Sequence, residues 1–122
     1  MSIDKHRELK DRAKAFALRV IKMSDALPRT RSANVISSQI LRSATSMAAN
    51  YRAVGRARSK AEFVAKLGVV VEEADETVFW LELLTDSGIV SPKKMREMLN
   101  EANQLMLIFS ASRRTARDGG KA

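Results

Sequence analysis

Apolar residues recur at three- and four-residue spacing along four long segments, divided by short stretches carrying Pro, Gly, Ser and Arg. That period marks amphipathic helices. The first stripe, Leu9, Ala13, Phe16, Ala17, Val20, Ser24 and Leu27, predicts a helix over residues 4–26. Pro28 disfavours helical geometry in the residue before it and breaks that helix. Ser32 or Asn34 can cap the second helix, which is expected over residues 33–54 with Ile36, Ile40, Ser43, Ala44, Met47, Tyr51 and Val54 facing inward. Gly55 suits a left-handed C-cap there. Ser59-Lys-Ala-Glu62 is a capping-box pattern that opens a third helix continuing to Asp86. Gly88 stops it, and Ser91-Pro92 supply the N-cap and first helical residue of a fourth helix. This last helix reaches Arg117 on Met95, Met98, Ala102, Leu105, Phe109 and Ser112.

Four helices of similar length on short connections must alternate in direction. The expected fold is therefore all-α: one domain, an antiparallel up-down-up-down four-helix bundle over residues 1–117. Residues 118–122, Asp-Gly-Gly-Lys-Ala, have nothing to bury and should fray. A chain of 122 residues is long enough for a continuous core. Five Gly and two Pro leave little room for a turn-rich β architecture.

The third helix is apolar on two sides. Phe63, Leu67, Val70, Ala74, Thr77, Leu81 and Leu84 form the stripe that faces the bundle. The opposite side holds Ala65, Val69, Phe79, Trp80 and Leu83, with Glu72, Glu73 and Glu76 among them. A helix apolar on both sides is buried on both sides, and a four-helix bundle has no fifth element to cover the second stripe. The second helix repeats the pattern weakly through Val35, Ser46, Ala49 and Ala53, a small-residue face permitting close approach. Self-association through Val69, Glu72, Glu76, Phe79, Trp80 and Leu83 is the expectation; the alternative is that Phe79 and Trp80 fold back onto the bundle's own edge. The carboxylates of this run are expected to meet Arg or Lys of a neighbouring subunit.

Charge adds a second theme. The net formal charge is +8, and no Asp or Glu occurs between Ala26 and Ala61. That stretch holds Arg29, Arg31, Arg42, Arg52, Arg56, Arg58 and Lys60. A field of this sign attracts polyanions: nucleic acid, an acidic protein or an anionic membrane surface. Arginine dominates the segment, and its planar fork suits phosphate oxygens. Arg42, Arg52, Arg56, Arg58 and Lys60 are therefore the candidate nucleic-acid contacts. The competing reading is that these arginines pair with the seven acids between Glu62 and Asp86; both can hold at once, with Arg42 paired at an interface and Arg56 and Arg58 free. Arg113, Arg114, Arg117 and Lys121 form a second cluster, which also complements a helix dipole. Aromatic residues are 5% of the chain and most fall on apolar stripes, so no base-stacking platform is expected. Contacts would run to the phosphate backbone and depend strongly on salt.

Several chemistries find no support. There is no Cys, which excludes disulfides, thiolate ligands and a cysteine nucleophile and fits a reducing compartment. A di-metal carboxylate site in a bundle needs Glu-x-x-His pairs, and the single histidine, His6, lies near an end expected to be mobile. A lone Mg²⁺ on Glu72 and Glu76 is the remaining metal reading. No nucleophile elbow, phosphate-binding glycine loop or dinucleotide fingerprint occurs. The expectation is a non-enzymatic protein without cofactors. The N-terminus is charged and lacks an apolar signal region, and the longest apolar runs, 67–71 and 105–109, are far too short to span a bilayer. A cytoplasmic location follows as an expectation.

Four segments carry a family resemblance: Gln39-Ile-Leu-Arg-Ser-Ala-Thr-Ser46, Ala49-Asn-Tyr-Arg52, Arg56-Ala-Arg-Ser-Lys-Ala-Glu-Phe63 and Glu73-Ala-Asp-Glu-Thr-Val-Phe-Trp-Leu-Glu-Leu-Leu84. Together they resemble the bacterial four-helix-bundle proteins encoded within intervening sequences of 23S ribosomal RNA genes, over a stretch from about Leu9 to Phe109. The resemblance implies an up-down bundle assembled as a homopentamer, with a basic face and nucleic acid as its partner. It also implies similarity in fold to accessory proteins of diversity-generating retroelements. Many relatives carry an acidic residue after the Asn matched by Asn50, where this chain has Arg52-Ala53-Val54. Two functions remain open on these grounds. One is association with rRNA or a related transcript through Arg52, Arg56, Arg58 and Lys60. The other is a scaffold docking an acidic protein, such as a polymerase or ribosomal component. A membrane-surface role ranks below both.

Overall fold

The computed structural model describes residues 3–119 and contains four helices: α1 (Ile3–Ala26), α2 (Arg31–Val54), α3 (Lys60–Asp86) and α4 (Pro92–Arg117). The last three residues of the expected tail, including Lys121, lie outside the described part, as do residues 1–2. The helices alternate in direction and pack in sequence, α1 on α2, α2 on α3 and α3 on α4. α4 returns beside α1 to close the bundle, but this last pair approaches closely at few positions. Arg12 bridges the wider gap, donating from Nε and Nη2 to Glu101 at 2.8 Å each and from Nη2 to Gln104 at 2.7 Å. No described helix is long and apolar enough to cross a membrane.

Side-chain chemistry sets the helix ends. Ser59 and Ser91 sit in extended backbone and accept hydrogen bonds from the amides of Glu62 and Lys94 at 3.1 and 3.3 Å. Each satisfies one of the orphan donors of a first turn. The α3–α4 turn closes through the Val90 amide on the Leu84 carbonyl at 3.1 Å, with Gly88 in the left-handed region at φ +81°. Two expectations at the ends of α2 are corrected. Its cap is Thr30, whose Oγ1 accepts from the Ala33 amide at 3.2 Å, so Ser32 and Asn34 lie inside the helix. The reason is that Ala33 is fully buried, already on the core stripe, and the helix must begin before it. Gly55 has φ −64°, right-handed geometry open to any residue. A β-carbon there would displace the His6 imidazole, which packs over it.

The core follows the sequence stripes. Leu9, Phe16, Val20, Ile40, Met47, Leu67, Leu81, Leu84, Leu105 and Phe109 are almost fully buried. Each large aliphatic or aromatic side chain so buried contributes roughly 1.5–3 kcal/mol relative to exposure. Phe63 and Met98 are half-buried at the edge. One polar pair crosses the α2–α3 contact: Thr77 Oγ1 donates to Ser43 Oγ at 2.9 Å, both residues being fully buried. Below it Tyr51 is stacked between Phe109 and His6, with ring centres 4.8 and 5.0 Å away. Burial pushes the Tyr51 phenol up to about 12. His6 is thus part of a packed aromatic row, not the mobile terminal residue that its position in the sequence suggests.

The second stripe of α3 divides in two. Trp80 and Leu83 are half-buried and lean on the edge of the core, whereas Phe79 is 51% exposed and Val69 is 43% exposed. Phe79 meets Trp80 edge-on with ring centres 4.9 Å apart. The Trp80 indole N–H is buried beside Glu76 and adds a minor share to the lowering of that carboxyl.

Candidate nucleic-acid interface

The up-down topology collects the start of α1, the end of α2, the start of α3 and the end of α4 at one pole of the bundle. Two contacts fix this pole: the His6–Tyr51 ring pair between α1 and α2, and Lys60 Nζ, which lies 3.7 Å from where a β-carbon on Gly119 would stand. When each helix is divided at its middle, this pole comprises residues 3–14, 43–73 and 105–119. It carries thirteen basic and seven acidic side chains, a surplus of six. The other described half, residues 15–42 and 74–104, carries eight and seven. Two helix N-termini and two C-termini meet at each pole, so the macrodipoles largely cancel. Side-chain charge alone decides which pole attracts an anion.

Arg52 lies on the last turn of α2. The chain then turns tightly, with the amides of Arg56 and Ala57 on the carbonyls of Ala53 and Val54 at 3.0 and 3.1 Å. This turn lifts Arg56 and Arg58 into solvent just before the Ser59 cap. The Arg58 side chain is 89% exposed and lies 3.5 Å from Glu62, a separation at which an exposed pair is weak. Lys60 is exposed on the first turn of α3. Among the described residues no salt bridge engages Arg52, Arg56 or Lys60.

Arg42 is placed differently. It sits midway along α2, where Nη1 reaches Glu73 at 3.1 Å and Nη2 bonds to Glu76. The hydrogen bond from Arg42 holds the Glu76 carboxyl below the usual carboxylate range, and the same bond raises the guanidinium. Within the chain, Glu76 thus has a basic partner in Arg42 of α2. Glu72, one step further out on α3, is exposed. The structure therefore groups Arg52, Arg56, Arg58 and Lys60 but sets Arg42 apart, among acids, on the outer α2–α3 face with Val69 and Phe79.

The pole also gathers cations that are distant in sequence. Lys10 and Lys14 of α1 join Arg52 along a groove of about 370 Å³ between α1 and α2, with Asp11 and the small residues Ala48 and Ala49. No local motif marks these lysines; only the antiparallel pairing of α1 with α2 brings them to Arg52. Across the pole, Arg113, Arg114 and Arg117 line a shallow α3–α4 groove with Ser110 and Val71. Arg113 is anchored there, donating from Nε to the Val64 carbonyl at 3.3 Å, over Gly68, whose missing side chain leaves room for the guanidinium. Among the described residues no three His, Cys, Asp or Glu side chains are disposed to hold a metal ion.

The comparisons with known proteins agree with this architecture. The family model described as 23S rRNA-intervening sequence protein matches residues 5–111. The solved structure of a protein of unknown function from the S23 ribosomal protein family of Bacteroides thetaiotaomicron superposes with a TM-score of 0.83 at 32% identity. That match covers 91% of this chain and 99% of the other. No curated protein matches the chain. On both the family model and the structural match, the chain belongs to the 23S rRNA-intervening sequence protein family.

Proposed function

We propose that this protein is a cytoplasmic, non-enzymatic RNA-associated protein that grips the phosphate backbone with the basic pole of its bundle. The observation that carries the reading is the surplus of cations at one pole, with Arg52, Arg56 and Lys60 in no salt bridge among the described residues. Phosphate contacts position a protein on nucleic acid without reading sequence. The described residues of this pole offer no exposed aromatic ring on which a base could stack. Binding is accordingly electrostatic, tuned to the spacing of phosphates along rRNA or a related transcript.

The protein acts as a homo-oligomer, assembled on the outer α2–α3 face. Val69 and Phe79 support this, as exposed apolar side chains on a helix whose other side already fills the core. The family resemblance points to a ring of five. A ring would multiply the basic poles and convert weak phosphate contacts into avid binding.

The deciding experiment titrates purified protein with rRNA fragments and with duplex DNA at several salt concentrations. Retention of rRNA near physiological salt, above that of DNA, supports the proposal. Weak and equal adsorption of both at low salt only would overturn it. Docking of an acidic protein partner on the same pole would then take its place.

A further inference from the structure

At the pole opposite the basic cluster, the end of α1 and the beginning of α4 diverge and leave a cleft of about 530 Å³. This volume lies within the range of small-molecule sites. Its walls are mainly apolar, with Met23 and Leu27 on one side and Val90 and Met98 on the other, all half-buried at the edge of the core. Arg19, Lys22 and Lys94 complete the lining, which contains no acidic residue. No salt bridge among the described residues occupies any of these three cations, though the charge of Arg19 also acts on the Glu101 carboxylate.

We infer that this cleft binds a free anionic amphiphile, a single aliphatic or aromatic body ending in a carboxylate, sulfonate or phosphate. The apolar walls supply the burial that holds the body. Three of the eight apolar lining residues, Met23, Met95 and Met98, are methionines, whose flexible thioethers fit bodies of varied shape. The three cations select the head group: an anion gains charge-assisted hydrogen bonds, and a cation is repelled. The occupant is a molecule in solution and not a lipid surface, because Met23, Leu27, Val90 and Met98 are half-buried and line a concavity. The site is separate from Arg52, Arg56 and Arg58 and from the α2–α3 face, so it is independent of RNA association and of self-assembly.

The test uses the full chain and the fluorescent anion anilinonaphthalene sulfonate as probe. Saturable binding is expected, with displacement by dodecanoate below its micellar concentration. Neither octyl glucoside nor dodecyltrimethylammonium should displace the probe at equal concentration. Lys22→Glu with Lys94→Glu should weaken dodecanoate by about tenfold or more. Val90→Trp, which fills the cleft and leaves its charges, should abolish the displaceable signal. Both variants should retain the helical circular dichroism of the parent, and Val90→Trp, which leaves the net charge unchanged, its RNA affinity as well. Equal displacement by all three amphiphiles would overturn the inference. So would binding unchanged in both variants, which would place the probe outside the cleft. Binding to phosphatidylglycerol vesicles without competition from dodecanoate would assign the cations to a membrane surface and overturn it as well.

Discussion

The imidazole of His6 lies over Gly55, so close that a β-carbon on that glycine would stand 2.7 Å from Nε2. The contact ties the start of α1 to the turn that presents Arg56 and Arg58. Because Gly55 has right-handed geometry, alanine there incurs no backbone strain and lowers the entropy of the unfolded chain. The only obstacle is His6. Gly55→Ala should therefore destabilise the parent protein but stabilise a His6→Ala variant by about 0.5–1 kcal/mol. Urea denaturation midpoints across this cycle decide the matter. Equal effects in the two backgrounds would show that His6 does not press on the turn.

The same packing makes stability depend on pH. Burial first, then the charge of Lys10, lowers the His6 value below 6.5. A lowered value in the folded state means that the unfolded chain binds the proton more readily. The contribution of neutral His6 is thus complete above pH 6.5 and is lost as pH falls through the folded value. Glu76 and Glu101 are also held low, first by hydrogen bonds from Arg42 and Arg12. Their contributions are present above their ordinary 4.5 and disappear as pH drops through the lower folded values. Two separate declines in midpoint are expected on acidification, and His6→Gln should erase only the first. An imidazole that titrates at or above 6.5 by NMR would contradict the packing described.

What could be read in the sequence was whatever depends on period and local chemistry. The stripes of α1 and α2, the Ser59 and Ser91 caps and the stop at Gly88 all rest on residues within a turn or two of one another. What could not be read depends on partners far along the chain. Gly55 looks like a left-handed cap until His6 is seen above it. Arg42 looks like part of a basic run, yet the α2–α3 register sets it against Glu73 and Glu76. Lys10 and Lys14 have no local mark of their own; the bundle topology brings them to Arg52. The basic segment was legible, and so was its possible division into a paired Arg42 and free Arg56 and Arg58; that the partners of Arg42 are Glu73 and Glu76 of the same chain was not.

That division has a functional consequence. Arg42 must abandon two carboxylates before it can meet a phosphate, whereas Arg56 has no such partner among the described residues. Arg42→Ala should leave RNA affinity nearly unchanged. Arg56→Glu with Arg58→Glu should lower it by about tenfold or more and reduce the slope of log affinity against log salt by about two. Filter binding at four salt concentrations separates the cases. A larger loss from Arg42→Ala than from the double variant would move the RNA contact to the α2–α3 face.

Assembly can be probed without disturbing that pole. Phe79 is half in solvent on the side of α3 that faces away from the core. A charge at its ring position costs the monomer little, since the ring's main neighbour there is Trp80, which it meets edge-on. In an oligomer built on this face the same charge would be buried without a partner, at a cost of several kcal/mol per subunit. Phe79→Glu should therefore reduce the native mass to that of a single chain while the helical circular dichroism is retained. RNA binding by the resulting monomer should weaken through loss of avidity, and its low-salt contacts should persist because Arg52, Arg56 and Arg58 are untouched. A variant that keeps the parent's native mass would exclude Phe79 from the contact. One that loses its helical signal would show instead that Phe79 and Trp80 serve the bundle's own edge.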